Sequence, residues 1–282
     1  MTMNLVLQGP NAPHATLHSI ATLAGATTVV PLGPHAVRCE GVDDSAAQRH
    51  AVGEAAEAVG IDATYIAAGR SLADFRLVAM DMDSTLITIE CIDEIADMQG
   101  LKPQVAEITE AAMRGELEFS ESLIRRVALL KGLDAAALER VYTERLAISM
   151  GGEAMLAGVK AAGLKTLLVS GGFTFFTERL KARLGLDYTH ANALEIVDGK
   201  LTGRVVGGIV DALEKRRTVE RVCEQLGITP SQAIVMGDGA NDLLMMGIAG
   251  LSVAFRAKPV VRKQASVALN VSGLDGVLTI LA

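Results

Sequence analysis

Apolar positions along the first part of the chain recur in short runs and in helical steps by turns. Residues 4–8 form a brief apolar run ended by Gly9-Pro10, and residues 14–23 place Leu17, Ile20 and Leu23 on one helix face. Residues 28–32 and 36–40 read as strands around Gly33-Pro34. Ser45 is an N-cap for an Ala-rich helix ending near Val59 and Gly60, and residues 61–68 supply a last strand. The order β-α-β-β-α-β is that of a ferredoxin-like small domain. The polar stretch 71–76 reads as a linker, which divides the chain into a small domain, residues 1–70, and a larger one, residues 77–282.

The larger part starts on a strand that is apolar throughout, Leu77-Val78-Ala79-Met80, and runs straight into Asp81-Met82-Asp83-Ser84-Thr85. Such a run predicts a parallel strand covered on both faces. Helical spacing follows over residues 92–98, 104–114, 120–131 and 134–146, with Gly100, Gly115 and Gly132 as stops. Helices inserted at that point predict a cap, about residues 90–148, over the carboxyl end of the strand. Residues 165–169 form a second apolar strand that ends in Ser170-Gly171-Gly172 before a helix near Thr174. Asp198-Gly199 marks a hairpin within 194–206, and Lys215, Arg216 and Arg217 open a helix with the stripe Val219, Val222 and Leu226. Cations at a helix start oppose its dipole, so a compensating anion is expected there. Residues 233–236 lead into Gly237-Asp238-Gly239-Ala240-Asn241-Asp242 and a helix, and strands at 250–255 and 267–271 flank a helix near 258–265 before a final short helix. The alternation predicts an α/β fold: a doubly wound parallel sheet with a helical cap after its first strand, plus the small α+β domain.

Composition narrows the function. Aromatic residues make up 3% of a chain that is 50% hydrophobic, so the core is built from aliphatic side chains. Lys and Arg number 26 against 33 Asp and Glu, a formal charge of −7 with no basic block, which argues against nucleic acid as a partner. Cys39, Cys91 and Cys223 lie far apart with no C-x-x-C pair, as expected in a reducing compartment. The first ten residues lack a signal-peptide pattern and no apolar run reaches membrane-spanning length, so a soluble, cytoplasmic protein without a membrane partner is expected.

Candidate chemistry collects at strand ends. Open α/β sheets bind ligands beyond the carboxyl ends of their strands. Asp81 and Asp83 stand there with Ser170, Asp238 and Asp242, and Lys215 lies on a helix start between them in sequence. Paired carboxylates call for a cation or a shared proton, although Asp83 and Ser84 also suit a simple helix cap. The oxygen set suits Mg²⁺, and Ser, Gly N–H and Lys suit a phosphate; no G-x-x-x-x-G-K loop is present. On the third cap helix Leu123, Val127 and Leu130 form the buried stripe, with Arg125 about 160° away and Arg126 about 60° off its centre. By pattern, Arg126 reads either as a solvated salt bridge or as a guanidinium presented to a cleft.

These motifs resemble the haloacid dehalogenase superfamily of phosphohydrolases. The resemblance lies in Asp81-Met82-Asp83-Ser84-Thr85, Ser170-Gly171-Gly172, Lys215 and Gly237-Asp238-Gly239-Ala240-Asn241-Asp242, and it covers residues 77–282. Glu90-Cys91-Ile92-Asp93-Glu94-Ile95-Ala96, the stretch 119–126, residues 169–173 and Ala257-Lys258-Pro259 are similar, within it, to the phosphoserine phosphatase family. The resemblance implies Mg²⁺-dependent hydrolysis of O-phospho-L-serine through an aspartyl phosphate, the last step of L-serine synthesis. It implies Asp81 as nucleophile, Asp83 as proton donor and then acceptor, and a metal site of Asp81, the Asp83 carbonyl, Asp238 and Asp242. Ser170, Gly171 and Lys215 would hold the phosphoryl oxygens, Glu90 the α-ammonium and Arg126 the α-carboxylate. Phe119 would shield the site, with Gly172 and Asn241 in minor binding roles. The alternatives are a phosphotransferase of the same superfamily and an inert amino-acid-binding regulatory protein. Residues 1–70 resemble ACT-type modules, which bind amino acids or join subunits, and a homodimer is expected.

Overall fold

The computed structural model describes residues 2–114 and 116–282 and, at Met113, the backbone alone. Gly115, expected as a helix stop, lies outside the described residues. The first elements are β1 (Met3–Gln8), α1 (His14–Leu23), β2 (Thr28–Gly33), β3 (Ala36–Glu40), α2 (Ala46–Ala58) and β4 (Asp62–Ala67). Then come β5 (Leu77–Met80), the helices α3 (Cys91–Asp97), α4 (Lys102–Met113), α5 (Phe119–Leu129), α6 (Ala136–Glu144) and α7 (Gly152–Ala161), and the segment β6 (Lys165–Phe173), α8 (Thr174–Leu184), β7 (Tyr188–Val197), β8 (Lys200–Val206). The chain continues through α9 (Ala212–Leu226), β9 (Ala233–Gly237), α10 (Leu243–Met246), β10 (Leu251–Phe255), α11 (Pro259–Gln264), β11 (Val267–Leu269) and α12 (Gly276–Ile280).

The small sheet has the order β2-β3-β1-β4, with β1 antiparallel to both neighbours. Leu5, Leu7, Val37 and Cys39 meet Leu17, Ile20, Val52 and Ala56 in its core. Ser45 caps α2 as its sequence position demands, accepting the Gln48 N–H at 3.3 Å. The larger sheet has seven strands in the order β11-β10-β9-β5-β6-β7-β8, parallel at β9-β10, β10-β11 and β6-β7 and antiparallel at β7-β8. All four residues of β5 are buried, in keeping with its unbroken apolar run.

The chain divides into two compact units, one of Met1–Val78, Met150–Lys165 and Ile228–Ala282, the other of Ala79–Ser149 and Thr166–Gly227. In the first, the Asp62 carboxylate of β4 accepts the backbone N–H groups of Asn270 at 2.8 Å and Ser272 at 2.9 Å, and Gln8 donates to the Gly276 carbonyl at 3.1 Å. The small sheet is thereby tied to the segment before α12. Helix α7 is not predicted by the pattern. Its Gly158 lies so close to α12 that a Cβ there would stand 2.4 Å from Leu278 Cδ1.

In the second unit the chain leaves β5 for the cap and returns through one antiparallel bridge, Ile87 with Ile148, flanked by Thr88 N–H to Ala147 O at 3.0 Å and Ser149 N–H to Leu86 O at 2.9 Å. The connection between α5 and α6 also holds the β7-β8 hairpin. Gly132 donates to Leu201 O and Leu201 to Leu133 O, each at 2.8 Å. The Asp198-Gly199 turn sits as predicted, with φ 51 and 76 at its two residues, a conformation Asp and Gly tolerate best. Three local expectations are corrected. Strand β6 does not end at Val169 but pairs again at Phe173 after a register shift. Strand β7 begins at Tyr188, and α9 begins at Ala212, so that Lys215 lies a turn inside it.

Candidate active site

Asp81 follows the last residue of β5 and opens a tight turn, Met82–Leu86, in which the Ile87 N–H reaches back to Met82 O at 3.0 Å and Ser84 takes φ 57. The Asp81 Oδ1 accepts the Met82 N–H at 2.7 Å and stands 2.8 Å from Lys215 Nζ. Lys215 is 1% exposed, whereas Arg216 turns outward to Glu220 at 2.9 Å and Arg217 is exposed. The anion expected at this helix start is present twice over. Asp211 caps α9 through Glu214 N–H at 2.8 Å, and Asp81 faces the ammonium.

Asp83, two residues on, has the opposite surroundings. Burial, and then the charge of Glu90, push its carboxyl from the ordinary 3.8 up to about 8, against weaker opposing pulls from Cys91 and Lys215. Its Oδ1 is buried with no hydrogen-bond partner, an atom poised to exchange a proton with something that enters the site. Across from it is Gly172, where a Cβ would lie 2.8 Å from Asp83 Oδ2 and 3.1 Å from Ser170 Oγ. Only glycine lets the backbone come so near the carboxylate. Ser170 is buried and accepts the Gly172 N–H at 2.8 Å.

The cap side chains gather by the same turn. Glu90, just before α3, accepts the Ser84 hydroxyl at 2.6 Å. Arg126 is half-buried on α5, its Nε donating to Ser122 O at 3.3 Å. Burial lowers its pKa, and the charges of Asp93, Glu90 and Asp83, in that order, oppose the shift. Arg125, by contrast, pairs at the surface with Glu121 at 2.5 Å. Phe119, the first residue of α5, reaches Gly171, where a Cβ would meet its Cζ at 3.0 Å. Glu90, Arg126 and Phe119 therefore come together with Asp83 and the 170–172 loop.

Asp238, Asn241 and Asp242 occupy the loop after β9. Asp242 is 0% exposed and accepts the Gly239 N–H at 3.1 Å, while Gly237 leaves room that a Cβ would take from the Asp242 carboxylate at 2.4 Å. The Asp238 carbonyl accepts the Lys258 N–H at 3.1 Å, and Asn241 is half-buried beside Gly239. Asp238 and Asp242, like Asp81 of the second unit, each offer a carboxylate oxygen to a cation. An all-oxygen set of three carboxylates fits a hard divalent cation and ill suits soft metals.

Two residues at this centre have no role assigned from the sequence. Asn192 of β7, buried, donates to Gly171 O at 2.7 Å and accepts the Val210 N–H at 2.8 Å. The signal for it is a lone amide in a strand whose neighbour Ala191 is also buried. Cys91, buried behind Asp83, has its thiol pushed well up by burial and the adjacent acids. Among the described residues no helix is long and apolar enough to cross a membrane.

The haloacid dehalogenase-like hydrolase family model matches residues 75–250, and a domain of unknown function, DUF4072, matches residues 5–52. A phosphoserine phosphatase of Polaromonas is 59% identical over 215 residues, 74% of this chain and 91% of that protein. The unliganded structure of a probable phosphoserine phosphatase from Vibrio cholerae is similar over 99% of this chain and 86% of its own, with a TM-score of 0.85 and 37% identity. A substrate-bound phosphoserine phosphatase complex is similar over 74% of this chain and 99% of its own, with a TM-score of 0.69 and 38% identity.

Proposed function

Because the chain belongs to the haloacid dehalogenase-like hydrolases, we propose that it hydrolyses O-phospho-L-serine to L-serine and inorganic phosphate, the step that completes L-serine synthesis. The observation that carries this reading is the contrast between two carboxyls on one turn. Asp81 faces the Lys215 ammonium at 2.8 Å, while burial and Glu90 raise Asp83 to about 8.

An Asp81 carboxylate oxygen attacks phosphorus in line with the seryl oxygen; the P–O bond to serine breaks as an aspartyl phosphate forms. Asp83, protonated at neutral pH, gives its proton to the departing oxygen. Its carboxylate then takes a proton from water, whose oxygen attacks phosphorus, releasing phosphate and restoring Asp81. Lys215, the Gly171 backbone and Ser170 hold the phosphoryl oxygens. Glu90 takes the substrate ammonium and Arg126 its carboxylate, for which a planar fork is suited, and Phe119 closes over the phosphate loop. Mg²⁺ is the cation this oxygen set fits; it would be held by Asp81, Asp238 and Asp242 with the Asp83 carbonyl and would neutralise charge on the phosphate as the anionic nucleophile approaches, with Asn241 in a minor substrate-binding role. In the same reading the protein is cytoplasmic, in keeping with cysteines that form no disulfide, and the ferredoxin-like sheet of residues 1–70 is an ACT-like module that regulates the enzyme or joins it into a homodimer.

Phosphate release from O-phospho-L-serine, O-phospho-D-serine, phosphothreonine and a sugar phosphate, with MgCl₂ and with added alcohols, tests the proposal. Selective turnover of the L-serine ester, lost in Asp81→Asn, is expected. A phosphorylated alcohol as the main product would make the protein a transferase, and substantial activity in Asp81→Asn would remove the nucleophile assignment.

A further inference from the structure

The geometry points to Asn192 as the residue that sets the phosphate cradle, a positioning residue shared by the Ser170-Gly171-Gly172 loop and the entrance to the lysine helix. It rests on the phosphatase reading of that site. Strand β6 loses register between Val169 and Phe173, and Asn192 is the β7 residue opposite Phe173, where pairing resumes. The shift takes the Gly171 carbonyl out of the ladder between β6 and β7. Asn192 Nδ2 supplies a donor to it at 2.7 Å, and Asn192 Oδ1 accepts the N–H of Val210 at 2.8 Å. Val210 directly precedes Asp211, the cap of α9, whose carbonyl accepts the Lys215 N–H at 2.9 Å.

One side chain, 1% exposed, thus joins two backbone segments, one carrying the glycine N–H groups and the other the ammonium that stands 2.8 Å from Asp81. The two segments are themselves adjacent, since a Cβ on Gly171 would lie 3.6 Å from Val210 O. The site needs a donor and an acceptor on one short planar group. Asparagine provides both; aspartate keeps the acceptor but turns an oxygen toward the Gly171 carbonyl, and leucine of similar volume provides neither. Both ends of the Asn192 amide hydrogen-bond to backbone atoms of these two segments. Its loss should loosen the hold on the phosphoryl group and leave recognition of the serine moiety in place.

The experiment compares Asn192→Leu and Asn192→Asp with the wild-type full chain in MgCl₂, using O-phospho-L-serine and p-nitrophenyl phosphate as substrates and inorganic phosphate and L-serine as inhibitors. Misplacement of a reacting group by about 1 Å costs about a hundredfold, so kcat/KM should fall by about that factor on both substrates. The inhibition constant for phosphate should rise about tenfold or more while that for L-serine stays within about twofold, a split that general loosening of the fold does not produce. Wild-type kcat/KM in a folded variant, a loss confined to phosphoserine, or equal weakening of phosphate and L-serine would overturn the inference. So would failure of both variants to fold, which would make Asn192 a core residue only. If the wild-type protein turns over the aryl phosphate but not phosphoserine, the substrate assignment fails while the test of Asn192 proceeds on the aryl ester.

Discussion

Lys215→Met removes the cation 2.8 Å from Asp81 and keeps an unbranched stem in its place. Both partners are almost fully buried, at 1% exposure for Lys215 and 5% for Asp81. Taking one partner from such a pair costs about 3–5 kcal/mol, because the remaining charge keeps its desolvation penalty and loses its nearest compensation. A domain of this size loses about 2–4 °C per kcal/mol, so the melting temperature should drop by about 10 °C. Asp81→Asn should cost a similar amount from the other side. The double variant Asp81→Asn/Lys215→Met, with both charges gone, should recover much of the loss, giving a coupling of about 2 kcal/mol or more. The assay is thermal and urea unfolding followed by circular dichroism in EDTA, which prevents a divalent cation from taking the place of the ammonium beside Asp81. Adding MgCl₂ should shrink the deficit of Lys215→Met. Additive single losses, with a coupling under about 0.5 kcal/mol, would show that the two charges are solvated separately and refute the buried pair.

Arg126→Ala should lower kcat/KM for phosphoserine at least about a hundredfold more than for p-nitrophenyl phosphate, the loss expected for a charge-assisted bidentate contact; equal losses would assign Arg126 to the fold of the cap. Asp83, raised from the ordinary 3.8 to about 8, binds a proton in the folded chain that the unfolded chain releases. Its contribution to stability is fully present below about pH 3.8 and is lost as pH rises to about 8, so in EDTA the melting temperature of Asp83→Asn relative to wild type should climb between pH 5 and pH 8. A flat difference across that range would show that Asp83 is ionised throughout. EDTA should abolish turnover and MgCl₂ restore it, and Asp242→Asn should raise the MgCl₂ needed for half activity about tenfold or more; an unchanged requirement would exclude Asp242 from the ion's surroundings.

What could be read from the sequence was whatever is fixed locally. Helix α1 follows from the spacing of Leu17 and Ile20, α2 from the Ser45 cap, and the β7-β8 turn from Asp198-Gly199, which occupies the positive φ region. The burial of β5 follows from its unbroken apolar run. Elements set by a distant partner were not readable. Helix α7 is one, with its Gly158 packed against Leu278, and the glycines of β6 read as a strand end because the pairing resumes only at Phe173, opposite Asn192. The early start of α9 has a local signal in Asp211 and Glu214, a D-x-x-E capping pattern just before the basic triplet. Helix phase turns Lys215 of the basic triplet inward and sends Arg216 out to Glu220.

The spacing of the two aspartates explains why this turn can serve both halves of a displacement. Side chains on an ordinary strand point to opposite faces only at odd separations, so a continued β5 would send Asp81 and Asp83 to the same side and into like surroundings. The chain instead breaks at Met82, and Ser84 adopts φ 57 so that its N–H reaches Ile89 O at 3.2 Å. That break aims Asp81 at the α9 lysine and leaves Asp83 beneath the start of the cap, with Glu90 as its main charged neighbour. Glu90 therefore has two effects in the proposed reaction. Before substrate enters, its charge helps keep Asp83 protonated; once it holds the substrate ammonium, that charge is offset and Asp83 becomes a stronger acid. Recognition of the amino acid and readiness to protonate its oxygen are coupled through one carboxylate, so a substrate lacking the ammonium should lose leaving-group protonation as well as binding, in kcat as well as in KM.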